Sequence, residues 1–315
     1  MKWLREIVSA LDLKSDAVLN GYNQYSMERR YVLNQEFISH LKLGPIRQVQ
    51  SVSGGDINQA YQLETTQGRV FLLIQPNHTK AFFTHEINGL KLLEQFVKVP
   101  KVLSVGHWQN DAYLVLSYLA HQSHGDDFAL GQALAHIHQK ASPNHHYGFG
   151  EAFTMGTFTA DNTWQSSWSQ FFIQQRLEPL KELCHQQGVW SLPLERAYQK
   201  AIIRFKMLMG DYQPQSVLLH GDLWSGNFMF DLDGRPIMID PAVFYGDREF
   251  DLGITQVFGG FNAEFYRGYQ ETYPVVAGFE QRVLFYELYY LMFHLSQFGI
   301  GYQQAVANTL SKINR

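Results

Sequence analysis

His220-Gly221-Asp222-Leu223-Trp224-Ser225-Gly226-Asn227, followed by Asp240 in Ile237-Met238-Ile239-Asp240-Pro241, decides the fold of this 315-residue chain. The apolar run Val217-Leu218-Leu219 leads into it. After Asn227 come Phe228-Met229-Phe230, then Asp231-Leu232-Asp233-Gly234-Arg235, then Pro236-Ile237-Met238-Ile239. Two short apolar runs around an Asp-Gly pair predict a β-hairpin. A turn centred between Asp233 and Gly234 sets Asn227 opposite Asp240, and directly opposed residues have Cα atoms about 4.5–5.5 Å apart. An amide oxygen and a carboxylate at that separation make a hard-oxygen site suited to Mg²⁺ and phosphates.

The protein-kinase catalytic loop, His-Arg-Asp-Leu-x-x-x-Asn, has the spacing that separates Asp222 from Asn227 here. In that scheme Asp222 orients the attacking hydroxyl and accepts its proton, while Asn227 and Asp240 hold the metal. A lone His-Gly-Asp or Asp-Gly pair is ordinarily a turn; the ordered set of three groups carries the chemistry. His220 fits a loop-shaping role better than proton transfer. In the charged cluster Asp247, Arg248, Glu249 and Asp251, the acids suit a helix N-terminus, where they cap free N–H groups and favour the dipole.

The stretch from His220 to Asp251, with Asp-Pro-Ala at 240–242 and Gly-Asp-Arg-Glu-Phe-Asp at 246–251, closely resembles the fructosamine kinase family, relatives of the aminoglycoside phosphotransferases. The resemblance extends to Ser53-Gly54-Gly55-Asp56-Ile57-Asn58-Gln59-Ala60-Tyr61 and to Leu130-Gly131-Gln132-Ala133-Leu134-Ala135-His136-Ile137-His138. It continues through Asn162-Thr163-Trp164, Trp168, Phe171-Phe172 and Arg176-Leu177 to Tyr286-Glu287-Leu288-Tyr289 and Phe298-Gly299-Ile300-Gly301-Tyr302. It implies Mg²⁺- and ATP-dependent phosphorylation of a ketosamine (fructosamine or ribulosamine), on the C3 hydroxyl of the sugar. The implied fold is α+β, protein-kinase-like and two-lobed. Its small lobe, residues 1–117, has a five-stranded antiparallel sheet and one helix; a mostly helical large lobe spans 118–315.

Residue patterning agrees with that division. Strand composition occurs around 47–52, 60–64, 69–74, 100–106 and 112–117. Phe83, Ile87, Leu90, Leu93 and Val97 recur at helical spacing within 82–97. Another short helix is expected at 2–12. Beyond about residue 126 helices are expected at 127–140, 164–187, 193–209, 262–272, 279–298 and 302–313.

At the nucleotide end, Gly54, Gly55, Asp56, Ile57 and Asn58 resemble the family's phosphate-covering turn, where glycines let backbone N–H groups approach phosphate oxygens. Ser117, Tyr118 and Leu119 occupy the place of the hinge that bonds the adenine edge. Glu86 stands at the position of the helix glutamate that pairs with a strand lysine, but Leu73 stands where that lysine would be. Arg69, of the same strand parity, and Lys80 are the candidates to replace it. Ser117 replaces a common hinge Glu, and Phe293 a common Asn. Leu73 makes a pseudokinase the main alternative, followed by a kinase of an aminoglycoside or another small alcohol. Trp224 and Trp168 are candidate flat faces for the sugar.

A net charge of −4 argues against nucleic acid as an obligate partner. A single cysteine, Cys184, and an N-terminus without a signal-like apolar core predict a cytoplasmic protein. No apolar run is long enough to span a membrane. The 13 histidines show no His-Glu-x-x-His or other zinc-ligand spacing.

Overall fold

A computed structural model describes residues 33–52 and 59–315. The helix expected at 2–12 and the glycine turn Gly54–Asn58 lie outside the described residues. A short helix, α1 (Gln35–His40), precedes strands β1 (Ile46–Val52), β2 (Gln59–Thr65) and β3 (Gly68–Gln75). A 3₁₀ turn at Lys80–Phe83 then runs into helix α2 (Thr84–Leu93), followed by β4 (Val102–Trp108) and β5 (Asp111–Ser117). The five strands form one antiparallel sheet in the order β1-β2-β3-β5-β4.

Strand β3 reads as an unbroken apolar run because both of its faces are covered. Val70, Leu72 and Ile74 pack with Leu63, Tyr113 and Val115 beneath Phe37 of α1. On the other face Leu73, with Ala60 and Leu114, belongs to the core that includes Phe83 and Leu90 at and beyond the start of α2.

The chain leaves the sheet at Ser117 and enters a mainly helical region with α3 (Asp127–Ile137), whose first turn is capped by the Asp126 carboxylate on the Ala129 N–H. A small hairpin follows, β6 (Phe153–Met155) and β7 (Phe158–Ala160), then α4 (Trp168–Phe172), α5 (Glu178–Gln186) and α6 (Leu192–Asp211). The helix expected over 164–187 is split by a π-turn at Ile173–Leu177, where Arg176 is buried. Next come β8 (Val217–Leu219), β9 (Phe228–Phe230), β10 (Pro236–Met238), β11 (Phe244–Gly246), α7 (Glu249–Val257), α8 (Ala263–Thr272), α9 (Phe279–Phe298) and α10 (Gln303–Ile313).

The four short strands position the site: β8 pairs with β11, and β9 with β10, so residues 220–227 and 239–243 cross between two ribbons. The register of the β9–β10 hairpin differs by one from the expected one. Phe228 pairs with Met238, and Ile239 donates its N–H to the Asn227 carbonyl at 3.0 Å. The Asp231 carboxylate accepts the N–H groups of Asp233 and Arg235, at 3.0 and 2.9 Å, and closes a three-residue loop with Gly234 at φ 81°. Asp240 therefore lies one residue past the position opposite Asn227.

Candidate active site

The loop after β8 is held from below by one carboxylate. Asp251, in the first turn of α7 and fully buried, accepts the N–H of His220 at 2.7 Å and that of Gly221 at 2.9 Å. His138 Nε2 reaches the same carboxylate at 3.1 Å, with its Nδ1 against the Tyr269 hydroxyl at 2.8 Å. Tyr290 of α9 donates to the Gly221 carbonyl at 3.0 Å, and the Ala242 N–H to the His220 carbonyl at 2.9 Å. Gly221 has φ 83°, and a Cβ there would sit 2.0 Å from the Ala242 oxygen, so only glycine fits. The acids of the 247–251 cluster divide their work. Asp247 caps α7 by accepting the Glu249 N–H, Glu249 pairs with Arg282, and Asp251 serves the loop.

The His220 ring spans the loop. Its Nε2 faces the Ile239 carbonyl at 3.2 Å, and its Nδ1 accepts the Asp222 N–H at 3.4 Å. Those contacts assign the neutral Nε2–H tautomer. Burial brings its pKa down to about 4, against the opposing pull of Asp251.

Asp222 and Asn227 meet directly: the Asn227 amide donates to the Asp222 carbonyl at 2.8 Å and to its carboxylate at 3.0 Å. With its NH₂ used on Asp222, Asn227 has an acceptor, Oδ1, left to offer. Burial raises the Asp222 pKa to about 8, with Asp240 adding to the rise and the Asn227 hydrogen bond opposing it. Loss of water around its carboxyl pushes Asp240 upward too, although the residue as a whole is exposed. Asp240 is also one of the few non-glycine residues with positive φ, 55°, a conformation that costs energy and turns its side chain out of the strand direction. The Asp240 carboxylate and the Asn227 amide oxygen, on segments joined by the Ile239–Asn227 backbone hydrogen bond, fit the hard-oxygen chemistry of Mg²⁺, which needs only one or two protein carboxylates beside water and phosphate. Among the described residues no group of three or more His, Cys, Asp or Glu side chains converges on a metal.

Helix α2 packs against the same point. A Cβ at Gly89 would lie 2.9 Å from the Pro241 ring, so the helix touches the residue next to Asp240. Glu86, one turn earlier on the same face, is 8 % exposed; its pKa is pushed well up by burial and by the charge of Asp240. No described Lys, Arg or His forms an ion pair with it. Leu73 is buried in the core. Arg69 does not take its place: it lies four residues away, about 13 Å along an extended strand, with its guanidinium 4.5 Å from the Tyr118 ring centroid. Lys80 opens the 3₁₀ turn and is exposed. Ser117 is tied to Lys101 by its N–H and its Oγ, at 2.8 and 2.9 Å, while Tyr118 and Leu119 continue half-buried beyond the sheet.

The two tryptophans separate. Trp224 is half-buried on the loop itself, its ring folded over Gly226. Trp168 is a core residue, not a sugar platform. It is 2 % exposed, stacks with Phe171, Phe172 and Phe244, and spends its indole N–H on the Tyr286 hydroxyl at 2.9 Å.

The fructosamine kinase family profile matches residues 32–315. The chain belongs to the fructosamine kinase family. Proteins described as probable ketoamine kinases from Staphylococcus aureus and Lactiplantibacillus plantarum are 41% and 44% identical to it. Each alignment spans 282 residues, covering 89% and 88% of this chain and 98% of each relative. A chloroplastic protein-ribulosamine 3-kinase of Oryza sativa subsp. indica is 33% identical over 88% of this chain and 82% of its own length. Among solved structures, a Haemophilus somnus protein assigned to the fructosamine-3-kinases superposes with a TM-score of 0.77 at 25% identity, covering 86% of this chain and 92% of its own. An aminoglycoside phosphotransferase bound to ADP and hygromycin B shares the fold, with a TM-score of 0.61 at 16% identity, over 90% and 97% of the two chains. The protein-kinase-like α+β fold of this fructosamine kinase family member is thereby established.

Sequence reading missed the supports of the family's loop: Asp251 as an acceptor for loop amides, His138 behind it, and Tyr290 on Gly221. Asp251 sits in a run of acids that helix capping already explains. His138 follows the last residue of α3 and Tyr290 lies among several tyrosines of α9, and only the tertiary fold joins them.

Proposed function

We propose that this fructosamine kinase family member transfers the γ-phosphoryl group of ATP to a ketosamine, at the C3 hydroxyl of a fructosamine or ribulosamine sugar, in the cytoplasm. Its place there would be the repair of glycated amines. The observation that carries this reading is the pairing of Asp222 with Asn227 on a loop pinned by Asp251, within a chain of this family.

Asp222 would orient the sugar hydroxyl and accept its proton. A base works best with a pKa near the operating pH, and burial places this carboxyl in that range. Asn227 and Asp240 would hold Mg²⁺, which when bound neutralises charge on the phosphate oxygens. The turn Gly54–Asn58 would cover the phosphates, and Ser117, Tyr118 and Leu119 would border the adenine. Trp224, beside the base, would offer a flat face to the acceptor. Neutral His220 keeps the loop in shape and takes no proton.

ADP release from Mg-ATP, measured with and without ribulose-lysine and fructose-lysine, tests the reading. Substrate-dependent ADP that disappears in Asp222→Asn, with product phosphorus assigned to C3 by NMR, is the expected result. A folded protein that turns over neither ketosamine would overturn it.

A further inference from the structure

We propose that Glu86 is a ligand for a divalent cation shared with Asp240, so that a metal ion stands where other kinase folds place a strand lysine. The proposal concerns the nucleotide side of the site proposed above, and rests on the reading of Asp240 as a metal ligand.

In the usual kinase arrangement the helix glutamate is neutralised by the lysine of the third strand, which in turn contacts the phosphates. Here that strand position is Leu73, buried at 8 % exposure among Ala60, Leu114 and Phe83. The glutamate has nevertheless not moved to the surface. Glu86 is equally buried, and no described Lys, Arg or His pairs with it. A carboxylate enclosed without a counter-charge is costly, and it keeps a proton until a cation displaces it.

Position indicates what that partner is. Close packing of Gly89 on Pro241 fixes α2 against the segment that carries Asp240. Glu86 lies one helical turn before Gly89 on the same face, and its nearest charged influence is Asp240, another acid. Two carboxylates carried by packed, different elements, with the Asn227 amide group on the adjoining loop, offer oxygen ligands and no cation of their own. Lys80 is exposed and Arg69 is held on Tyr118, so neither is placed to fill the gap. A divalent ion bound by both acids would neutralise Glu86 and present positive charge to the phosphates where lysine is missing.

The test is binding of Mn²⁺, as a Mg²⁺ substitute, followed by electron paramagnetic resonance of the full-length protein, alone and with AMP-PNP. Four proteins are compared: wild type, Glu86→Gln, Leu73→Lys and, as the control for the shared ligand, Asp240→Asn. Glu86→Gln should weaken Mn²⁺ binding by about tenfold or more, as expected for loss of a carboxylate ligand. Its melting temperature in EDTA should equal or exceed that of wild type, because a buried acid has gone. Leu73→Lys should also weaken Mn²⁺ binding, its ammonium competing for Glu86. Unchanged Mn²⁺ affinity in a folded Glu86→Gln variant would overturn the inference. So would a Leu73→Lys variant that binds Mn²⁺ as tightly as wild type. No ketosamine is present, so failure of the substrate reading would leave these outcomes intact.

Discussion

The side-chain amide of Asn227 donates at once to the backbone carbonyl and to the carboxylate of Asp222, at 2.8 and 3.0 Å. One residue thus sets the orientation of the proposed base and restrains the rise of its pKa. Asn227→Ala should lower kcat by about 10²–10³, the usual loss when one preorganised polar group leaves a transition-state site. It should also move the acidic limb of the pH–rate profile upward, because the donor favouring the charged carboxylate is gone. Steady-state kinetics across pH would show both changes; a fall in kcat with an unmoved limb would deny the hydrogen bond its electrostatic role.

The same carboxyl makes stability depend on pH. Its ordinary pKa is 3.8 and in the folded protein it is about 8. Between those values the folded state binds more protons than the unfolded state, so stability falls as pH rises through the window. Asp222→Asn removes that dependence. Without divalent cations, the variant should gain on wild type between about pH 5 and about pH 8. Partial exposure of Asp222 discounts the effect to roughly 1 kcal/mol, about 2–4 °C in melting temperature. An equal difference at both pH values would show that Asp222 titrates normally.

Sheet strands and most helices beyond Ser117 were legible because burial leaves apolar residues, in an unbroken run where both faces of a strand are covered and at helical spacing along a helix. Strand β3 and helix α9 are examples, the latter observed at Phe279–Phe298. The register of the β9–β10 hairpin was not legible. Whether Asp231 turns its carboxylate onto the amides of Asp233 and Arg235 decides between an even and an odd loop, and the Asp-Gly pair suits either. Trp168 was misread because a sequence shows an aromatic residue without showing which side of it faces water. The role of Asp251 stayed hidden for a different reason: its two loop partners are 31 and 30 residues away. Local patterning carries no trace of such a contact.

Asp251 is accordingly a stability residue as well as a site residue. Replacing it with Ala would leave the His220 and Gly221 amides and the His138 ring without their buried acceptor. The expected loss is about 3–5 kcal/mol, readable as a lowered urea midpoint. A loss under about 1 kcal/mol would mean that water replaces the carboxylate there.

Two glycine substitutions should move in opposite directions. Gly221→Ala places a methyl group 2.0 Å from the Ala242 oxygen at φ 83°, and should cost about 3 kcal/mol or more together with most of the activity. Gly210 lies in helix α6 with open space around its missing Cβ. Gly210→Ala should therefore raise stability by about 0.5–1 kcal/mol and leave kcat unchanged. Parallel melting curves and ADP assays check both.

Trp168→Ala and Trp224→Ala should separate packing from recognition. Trp168 stacks on Phe171, Phe172 and Phe244 and donates to Tyr286, so its removal opens a cavity worth about 3–5 kcal/mol. The surviving folded fraction should keep a normal KM for ketosamine. Trp224 is half-buried and rests on Gly226 beside Asp222, so its removal should cost about 1 kcal/mol or less in stability. It should instead raise KM for the ketosamine several-fold, with KM for ATP nearly constant, if the lost face is the one proposed to meet the acceptor. If Trp224→Ala raised both KM values equally, the effect would be a disturbed catalytic loop, and Trp224 would leave the list of acceptor contacts.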